Sequence, residues 1–147
     1  MKYLMVLSIL ILSACSSTQE VAIKSNLTDI IQLIEKAKRK HPEEVRGTFQ
    51  IPIKATGIQG GVIYLNSDLD YRDPKSIAVA LQASTIESFT KAYGSSPDLY
   101  LLNKTIEVLG EAKRVKIYIF KNGKKTKRYY YQTHINVTNI DKVKVLD

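Results

Sequence analysis

The stretch "RVKIYIFKNGKKTKRYYYQTHINV", residues 114–137, decides the fold of this chain. Apolar and polar residues alternate on both sides of Asn122-Gly123, and a period of two is typical of β-strands. Asn-Gly between two such runs is a strong hairpin signal, because both residue types tolerate a positive φ. The strand after the turn is expected to bury every second residue, namely Tyr129, Tyr131, Thr133, Ile135 and Val137. The pattern therefore predicts a mainly β protein built around this hairpin.

The register of the hairpin depends on the length of its loop. A three-residue loop, 121–123, pairs Val115 with Tyr129 and keeps the apolar residues of both strands on one face, and we expect this loop. A two-residue turn pairs Val115 with Tyr130 and mixes the two faces. The apolar parity of the first strand also changes over residues 110–114, so the sequence predicts a β-bulge there.

The N-terminus carries a targeting signal. Residues 1–14 combine Lys2, the apolar run "YLMVLSILIL" and small residues before Cys15, the single cysteine of the chain. The order "LSAC" resembles the bacterial lipobox, which implies cleavage before Cys15, diacylglycerol on its thiol and a further acyl chain such as palmitate on the new N-terminus. Two acyl chains suffice for stable membrane anchoring. The resemblance implies a lipoprotein of the cell envelope, and Ser16 resembles the outer-membrane sorting signal, with the domain facing the periplasm. An ordinary secretory signal is the alternative.

Two segments connect the anchor to the domain. Residues 15–25 have little periodicity and are expected to form a tether. Residues 26–42 predict an amphipathic helix with basic residues near its C-terminal end. One face of this helix holds the apolar residues Leu27, Ile30, Ile31 and Ile34. We expect the helix to pack against the domain, and a helix lying on the membrane surface is the alternative.

The apolar pattern of the domain, residues 46–147, predicts the order strand, strand, strand, helix, strand, strand. This is the order of elements in the OB-fold. The segments "GGVIYLNSDLDYRDPKSIAVAL", "LNKTIEVLGEAKRVKI" and "QTHINVTNIDKVKVL" resemble bacterial OB-fold modules. The resemblance implies a five-stranded OB-fold-like Greek-key barrel, with the helix between strands 3 and 4 and the N-terminal amphipathic helix as an addition. Such barrels bind ligands over strands 2 and 3 and through the loops joining strands 1–2 and 4–5. The hairpin at 114–137 contains the second of these loops.

The positive charge of the chain is concentrated in one region. The net charge is +8, and residues 112–140 contain eight basic residues and no acidic residue. On the face expected to be exposed, cations alternate with aromatic rings, a combination that stacks bases or sugars and holds phosphate. The candidate ligand-binding residues are Arg114, Lys116, Tyr118, Lys121, Lys124, Lys125, Lys127, Arg128, Tyr130, Gln132 and His134. The alternative is a solvated strand edge whose lysines oppose aggregation.

These residues predict a non-catalytic binding protein for an anionic polymer, which could be nucleic acid, an oligosaccharide or lipopolysaccharide. A protein-interaction or envelope-assembly lipoprotein is the first alternative, and a hydrolase or nuclease-like enzyme is the weaker one. Histidine occurs only at positions 41 and 134, and "DLDYRD", residues 68–73, lacks the glycine and the terminal glutamate of a calcium loop. We therefore expect no metal, no cofactor and no enzymatic activity.

Overall fold

A computed structural model describes residues 27–146 of the chain. The expected signal peptide, residues 1–14, and the expected tether, residues 15–25 with Cys15, lie outside the described residues, so both stay predictions. Within 27–146, no helix has the length and apolar character needed to cross a membrane.

The first helix, α1, spans Leu27–Lys40 and lies where the apolar spacing predicts it. Ile30 and Ala37 are seven residues apart, which places them on one face of the helix, and both are buried in the core. Three basic residues occupy its last turn, where the unpaired backbone carbonyls attract cations. α1 contacts two strands of the sheet, so its apolar face packs against the body of the domain.

The described part of the chain contains seven strands. They are β1 (Val45–Pro52), β2 (Ala55–Gln59), β3 (Val62–Asn66), β4 (Ile77–Leu81), β5 (Thr105–Lys121), β6 (Lys124–Val137) and β7 (Val143–Val145). Two short helices, α2 (Ala83–Tyr93) and α3 (Pro97–Tyr100), lie between β4 and β5, and a 3₁₀ turn at Ile140–Lys142 precedes β7. The protein is therefore mainly β, as the sequence predicts.

The strands form one sheet in the order β1-β5-β6-β4-β3-β2, and β7 pairs with β5 beside this path. Every pair is antiparallel except β4 with β6, which run parallel. β1 and β2 lie at the two ends of the order and are not paired with each other, so the sheet is not closed. Seven strands replace the five that the sequence predicts, because the expected first strand is divided into β1 and β2 and β7 is added.

The division between β1 and β2 has a local cause. Pro52 ends β1, since proline has no N–H to donate to a strand ladder. The N–H of Ile53 then donates to the carbonyl of Lys104 at 2.8 Å, and the N–H of Lys54 donates to the carbonyl of Asn66 at 2.9 Å. Ile53 thus bonds next to the start of β5, the partner of β1, whereas Lys54 bonds to the end of β3, the partner of β2. The chain therefore passes from one end of the strand order to the other at residues 53–54.

The core holds most, but not all, of the positions predicted to be buried. All five residues of β4 are buried, as is common for a strand with a parallel partner and covered faces. The alternation of the strand sequences predicts buried side chains at Val79, Leu81, Ile117, Ile119, Ile135 and Val137. Of these, Val79, Leu81, Ile135 and Val137 are buried. Ile117 and Ile119 are only half-buried, because this part of β5 extends beyond the core.

Part of β5 and part of β6 project from the sheet. β1 pairs with β5 only as far as Ala112, and β4 pairs with β6 only from Thr133 onward. Within the described residues, the segment between these two points pairs only with itself. Residues 113–132 therefore form a two-stranded antiparallel unit, which we call the ribbon.

The turn of the ribbon is shorter than the sequence analysis expects. It contains two residues, Asn122 and Gly123, with φ values of 52° and 72°, and Lys121 lies opposite Lys124. Positive φ at both central residues is the geometry of a type I′ turn, whose twist matches that of the flanking strands. The predicted three-residue loop is therefore wrong.

A bulge in β6 shifts the register that this short turn sets by two residues, so the two faces of the ribbon stay the same. It lies next to the Tyr118–Tyr129 pair, where the register of β5 against β6 shifts. Within the bulge, the Thr126 hydroxyl donates to the carbonyl oxygen of Ile119 at 2.6 Å. The bulge predicted over residues 110–114 is wrong, because β5 keeps one continuous register with each partner strand there.

Candidate functional site

The observed register sorts the candidate residues onto two faces of the ribbon. Val115 lies opposite Gln132, and Lys116 lies opposite Tyr131. Residues directly opposite in an antiparallel pair point to the same side of the sheet. One side, the cation–tyrosine face, holds Arg114, Lys116, Tyr118, Lys125, Tyr129 and Tyr131. The other side, the His134 face, holds Lys113, Val115, Ile117, Tyr130, Gln132 and His134.

Two expectations about these faces are wrong. Tyr130, Gln132 and His134 were expected beside the cations, and they lie on the opposite side of the ribbon. Tyr129 and Tyr131 were expected in the core, and they lie among the cations instead. Both errors follow from the length of the turn, because one residue fewer in the turn moves every side chain of β6 to the other face, and the two-residue shift at the bulge leaves the faces unchanged.

Each cation of the cation–tyrosine face lies over an aromatic ring. The distances to the ring centre are 3.7 Å from Cζ of Arg114 to Tyr131, 4.0 Å from Nζ of Lys116 to Tyr129, and 3.5 Å from Nζ of Lys125 to Tyr118. These distances lie within the range of favourable cation–π contacts. The three rings also meet edge to face, with neighbouring centroids 5.6 and 6.2 Å apart. The row holds the cations in position without neutralising their charge.

The cations of this face have no carboxylate partner among residues 27–146. The one ion pair made by a basic residue of the ribbon joins Nζ of Lys113 to Oε1 of Glu44 at 3.5 Å, on the His134 face. The ring of Tyr129 is accessible, with 48% of its residue surface exposed. The cation–tyrosine face thus offers uncompensated positive charge and open aromatic surface together.

The tip of the ribbon adds further positive charge. Lys121, Lys124, Lys127 and Arg128 are all exposed. Lys121 and Lys124 lie directly opposite each other, an arrangement of like charges that is unfavourable within a sheet. These four residues extend the positive potential of the ribbon, which attracts anions from a distance.

The His134 face is packed rather than open. The side-chain amide of Gln132 donates to the backbone carbonyl of Tyr71, in the loop between β3 and β4, and its oxygen lies 2.9 Å from Nε2 of His134. Gln132 is only 6% exposed, and the ring of Tyr64 meets His134 edge to face at 6.0 Å. This face therefore leaves little room for a polymer.

The chemistry of the His134 face also differs from what the sequence suggests. The Gln132 oxygen can only accept, so Nε2 of His134 carries a hydrogen and donates it. Burial, with a smaller contribution from Lys113, lowers the pKa of His134 from 6.5 to about 4. Burial likewise raises the pKa of the Tyr130 hydroxyl. His134 is thus not a cation at neutral pH.

The acidic residues of the β3–β4 loop serve as turn acceptors. Asp70 accepts from the N–H of Arg72 at 2.9 Å, and Asp73 accepts from the N–H of Lys75 at 2.8 Å. Bonds of this kind are typical of Asx turns. Over residues 27–146, no three His, Cys, Asp or Glu side chains are grouped so as to hold a metal ion.

Tyr129 and Tyr131 belong to the candidate site, although the sequence analysis places them in the core. The signal that identifies them is the two-residue Asn122-Gly123 turn, which by itself places Tyr129 opposite Lys116 and therefore on the same face. The bulge shifts this pairing by two residues, so that Lys116 lies opposite Tyr131 and the faces are unchanged. The alternation of the sequence contains no information on the bulge.

Comparison of the chain with family models, with curated proteins and with solved structures finds no match.

Proposed function

We propose that this protein is a non-catalytic binding protein of the bacterial cell envelope, which holds an anionic polymer on its cation–tyrosine face. One observation carries the proposal: three cations that have no carboxylate partner within residues 27–146 are each held over a tyrosine ring in a single row. From Arg114 to Tyr118 the row spans roughly 13 Å, at about 3.3 Å per residue. That length accommodates more than one monomer of a sugar or nucleotide chain. Nucleic acid, an oligosaccharide and lipopolysaccharide are the candidate polymers.

The chemistry of the row suits repeated anionic groups joined by rings. A guanidinium that lies flat on a ring keeps its edge N–H groups available for phosphate or carboxylate. Exposed tyrosine rings stack on bases or on the apolar faces of sugars. The absence of any acidic residue from 112–140 leaves nothing in that segment to repel the polymer.

An OB-type barrel is the architecture that we infer for the domain. If β1 and β2 are the two halves of one bent strand interrupted at residues 53–54, the strand order joins end to end. The parallel β4–β6 pair, and α2 between β4 and β5, support this assignment. The turn at Gly60-Gly61 and the ribbon then correspond to the loops joining strands 1–2 and 4–5, which face ligands in OB-folds.

The proposal includes a lipid anchor. The "LSAC" order at residues 12–15 supports acylation of Cys15, and Ser16 supports sorting to the outer membrane with the domain in the periplasm. An anchored binding domain keeps its polymer close to the membrane surface.

A protein partner is the second candidate, and two observations favour it. Among the described residues, both strands of the ribbon have outer edges without a further strand, and such edges can pair with an added strand of another protein. Phe120, near the tip, is 62% exposed. An added strand would contact the backbone edges, whereas a polymer would contact the cation–tyrosine face.

Mapping the bound surface by NMR tests the proposal. Polygalacturonate, oligothymidylate and lipopolysaccharide are each titrated into the labelled domain, and the tyrosine ring signals are followed. The proposal predicts that at least one polymer shifts the signals of Tyr129 and Tyr131 more than that of Tyr130. If no polymer shifts any ribbon signal, the polyanion proposal is wrong and the protein-partner proposal replaces it.

A further inference from the structure

A cleft of about 130 Å³ lies at the foot of the cation–tyrosine face, between α1 and β6. Arg114 and Tyr131, the last members of the row, form part of its wall. Glu35 and Lys38 line it from the side of α1. Pockets for drug-sized ligands hold roughly 300–1,000 Å³, so this cleft accommodates one small unit rather than a whole ligand. Its position makes it a continuation of the row.

The lining of the cleft differs from the row in one respect: it contains a carboxylate. Oε1 of Glu35 lies 3.6 Å from Nζ of Lys38. Both side chains are about half exposed, so the attraction between them is weak. Arg114 supplies N–H donors and Tyr131 supplies an aromatic wall, while Ile34 supplies an apolar one. The cleft therefore offers a strong acceptor, strong donors and non-polar surface within one small volume.

We propose that the polymer is an anionic glycan and that one of its sugar rings sits in this cleft. The inference rests on the proposed function and narrows it to one class of polymer. A sugar ring carries hydroxyl groups that donate to a carboxylate and accept from Lys38 and Arg114, and its C–H faces pack on Tyr131. Phosphate offers no donor to Glu35 at neutral pH and is repelled by its charge. The carboxylates or phosphates along the glycan then lie over the cations of the row.

Glu35 provides a test in which two explanations predict effects of opposite sign. If the protein attracts polyanions by charge alone, removing an acidic residue strengthens binding to every polyanion. If Glu35 accepts hydrogen bonds from a sugar, its removal weakens binding to a glycan and does not weaken binding to a polymer without sugar hydroxyls. A hydrogen bond to a charged group contributes about 1.5–3 kcal/mol, which corresponds to a loss of about tenfold or more in affinity.

The experiment compares Glu35→Ala with Glu87→Ala in the full-length protein, either acylated or in a soluble form. Glu87 is exposed on α2, which does not line the cleft, so its removal makes the same charge change at a distant site. Polygalacturonate is the glycan probe, inorganic polyphosphate is the charge-only probe and oligothymidylate is the nucleic-acid probe. We expect Glu35→Ala to weaken binding of polygalacturonate about tenfold and to leave polyphosphate binding equal or stronger. Glu87→Ala should weaken neither.

The outcomes separate this inference from the proposed function. Binding of all three probes with equal effects of Glu35→Ala and Glu87→Ala overturns the glycan assignment and leaves the polyanion proposal standing. Weakening of oligothymidylate alone by Glu35→Ala overturns it in favour of a nucleobase in the cleft. If the wild-type protein binds none of the probes, the polyanion proposal itself fails.

Discussion

The guanidinium carbon of Arg114 lies 3.7 Å from the centre of the Tyr131 ring, although the residue directly opposite Tyr131 is Lys116. Arg114 therefore reaches the ring diagonally, from two positions along β5. Diagonal neighbours in an antiparallel pair are about 7–8 Å apart, which is within reach of a long side chain. This offset interleaves the cations and rings, and the ring of Tyr118 has two cations near it, Lys116 at 5.6 Å and Lys125 at 3.5 Å.

Loss of the central ring should weaken polymer binding. Tyr129 supports Lys116 and contacts the other two rings of the row, so Tyr129→Leu should reduce affinity for an anionic polymer by about 1–3 kcal/mol. Because the residue is 48% exposed, the free energy of unfolding should fall by no more than about 1 kcal/mol. Fluorescence titration and urea unfolding measure the two quantities.

Tyr130→Leu is the matched control for that variant. It removes the same atoms from the next residue of β6, on the His134 face. Affinity should stay at the wild-type level in a folded Tyr130→Leu protein. Equal losses of affinity in the two variants would contradict the assignment of the site to one face.

Two glycine substitutions, one in β5 and one in β2, should have opposite effects on stability. A Cβ at Gly110 would lie 2.9 Å from Cγ2 of the buried, β-branched Ile135, so Gly110→Ala should destabilise the fold by about 1–3 kcal/mol. A Cβ at Gly57 has no neighbouring atom within 4 Å, and Gly57→Ala should stabilise by about 0.4–1 kcal/mol through the unfolded state. Urea unfolding of both variants checks the pair, and destabilisation by Gly57→Ala alone would contradict the packing.

The stability of the domain should depend on the protonation of His134. Its pKa is lowered from 6.5 to about 4, so the folded state binds fewer protons than the unfolded state between these values. The contribution of this group is therefore complete above pH 6.5 and is lost as the pH falls towards about 4. At about 1.4 kcal/mol per pKa unit, the loss is on the order of 3 kcal/mol.

Unfolding measurements across this pH range check the effect of His134. His134→Gln should flatten the acid-side decline in stability, whereas His41→Gln, at an exposed position after α1, should retain the wild-type curve. An NMR titration midpoint of the His134 ring near its ordinary value of 6.5 would contradict the predicted burial effect.

Cys15→Ser should abolish the proposed lipid anchor. The thiol is the acceptor that the "LSAC" order implies, and the chain has no other cysteine. The variant should lose radiolabelled palmitate and appear in the soluble fraction or as an uncleaved precursor. Palmitate retained by Cys15→Ser would contradict the anchor.

The sequence alone predicts the strand content and much of the core, because alternation identifies a buried parity wherever a strand crosses the body of the domain. Val79, Leu81, Ile135 and Val137 follow this rule and are buried. Ile117 has the same alternation but lies in the projecting ribbon, where the described part of the chain leaves it half-buried. Periodicity reports the side to which a residue points and contains no information on how far the core extends.

The candidate site depends on a feature that the sequence does not specify. The positive charge of the ribbon follows directly from composition, and so does the presence of tyrosines among the cations. The two-residue turn decides that Tyr129 and Tyr131 share a face with the cations. The bulge, in which the Thr126 hydroxyl bonds to a residue seven positions away in sequence, then decides which of them lies directly opposite each cation. Without that contact, neither turn length alone places Val115 opposite Gln132.

The salt dependence of polymer binding shows whether the cations of the cation–tyrosine face contact the polymer. Each contact between a cation and a polyanion releases condensed counterions. For a single-stranded nucleic acid such as oligothymidylate, each contact adds about 0.7 to the magnitude of the slope of log affinity against log salt concentration. The double variant Lys116→Gln/Lys125→Gln is compared with Lys91→Gln/Lys142→Gln, which removes two exposed charges outside the ribbon. If the polymer binds at the cation–tyrosine face, the magnitude of the slope falls by about 1.4 in Lys116→Gln/Lys125→Gln and is unchanged in Lys91→Gln/Lys142→Gln. Equal slopes in the two variants would contradict binding at the cation–tyrosine face.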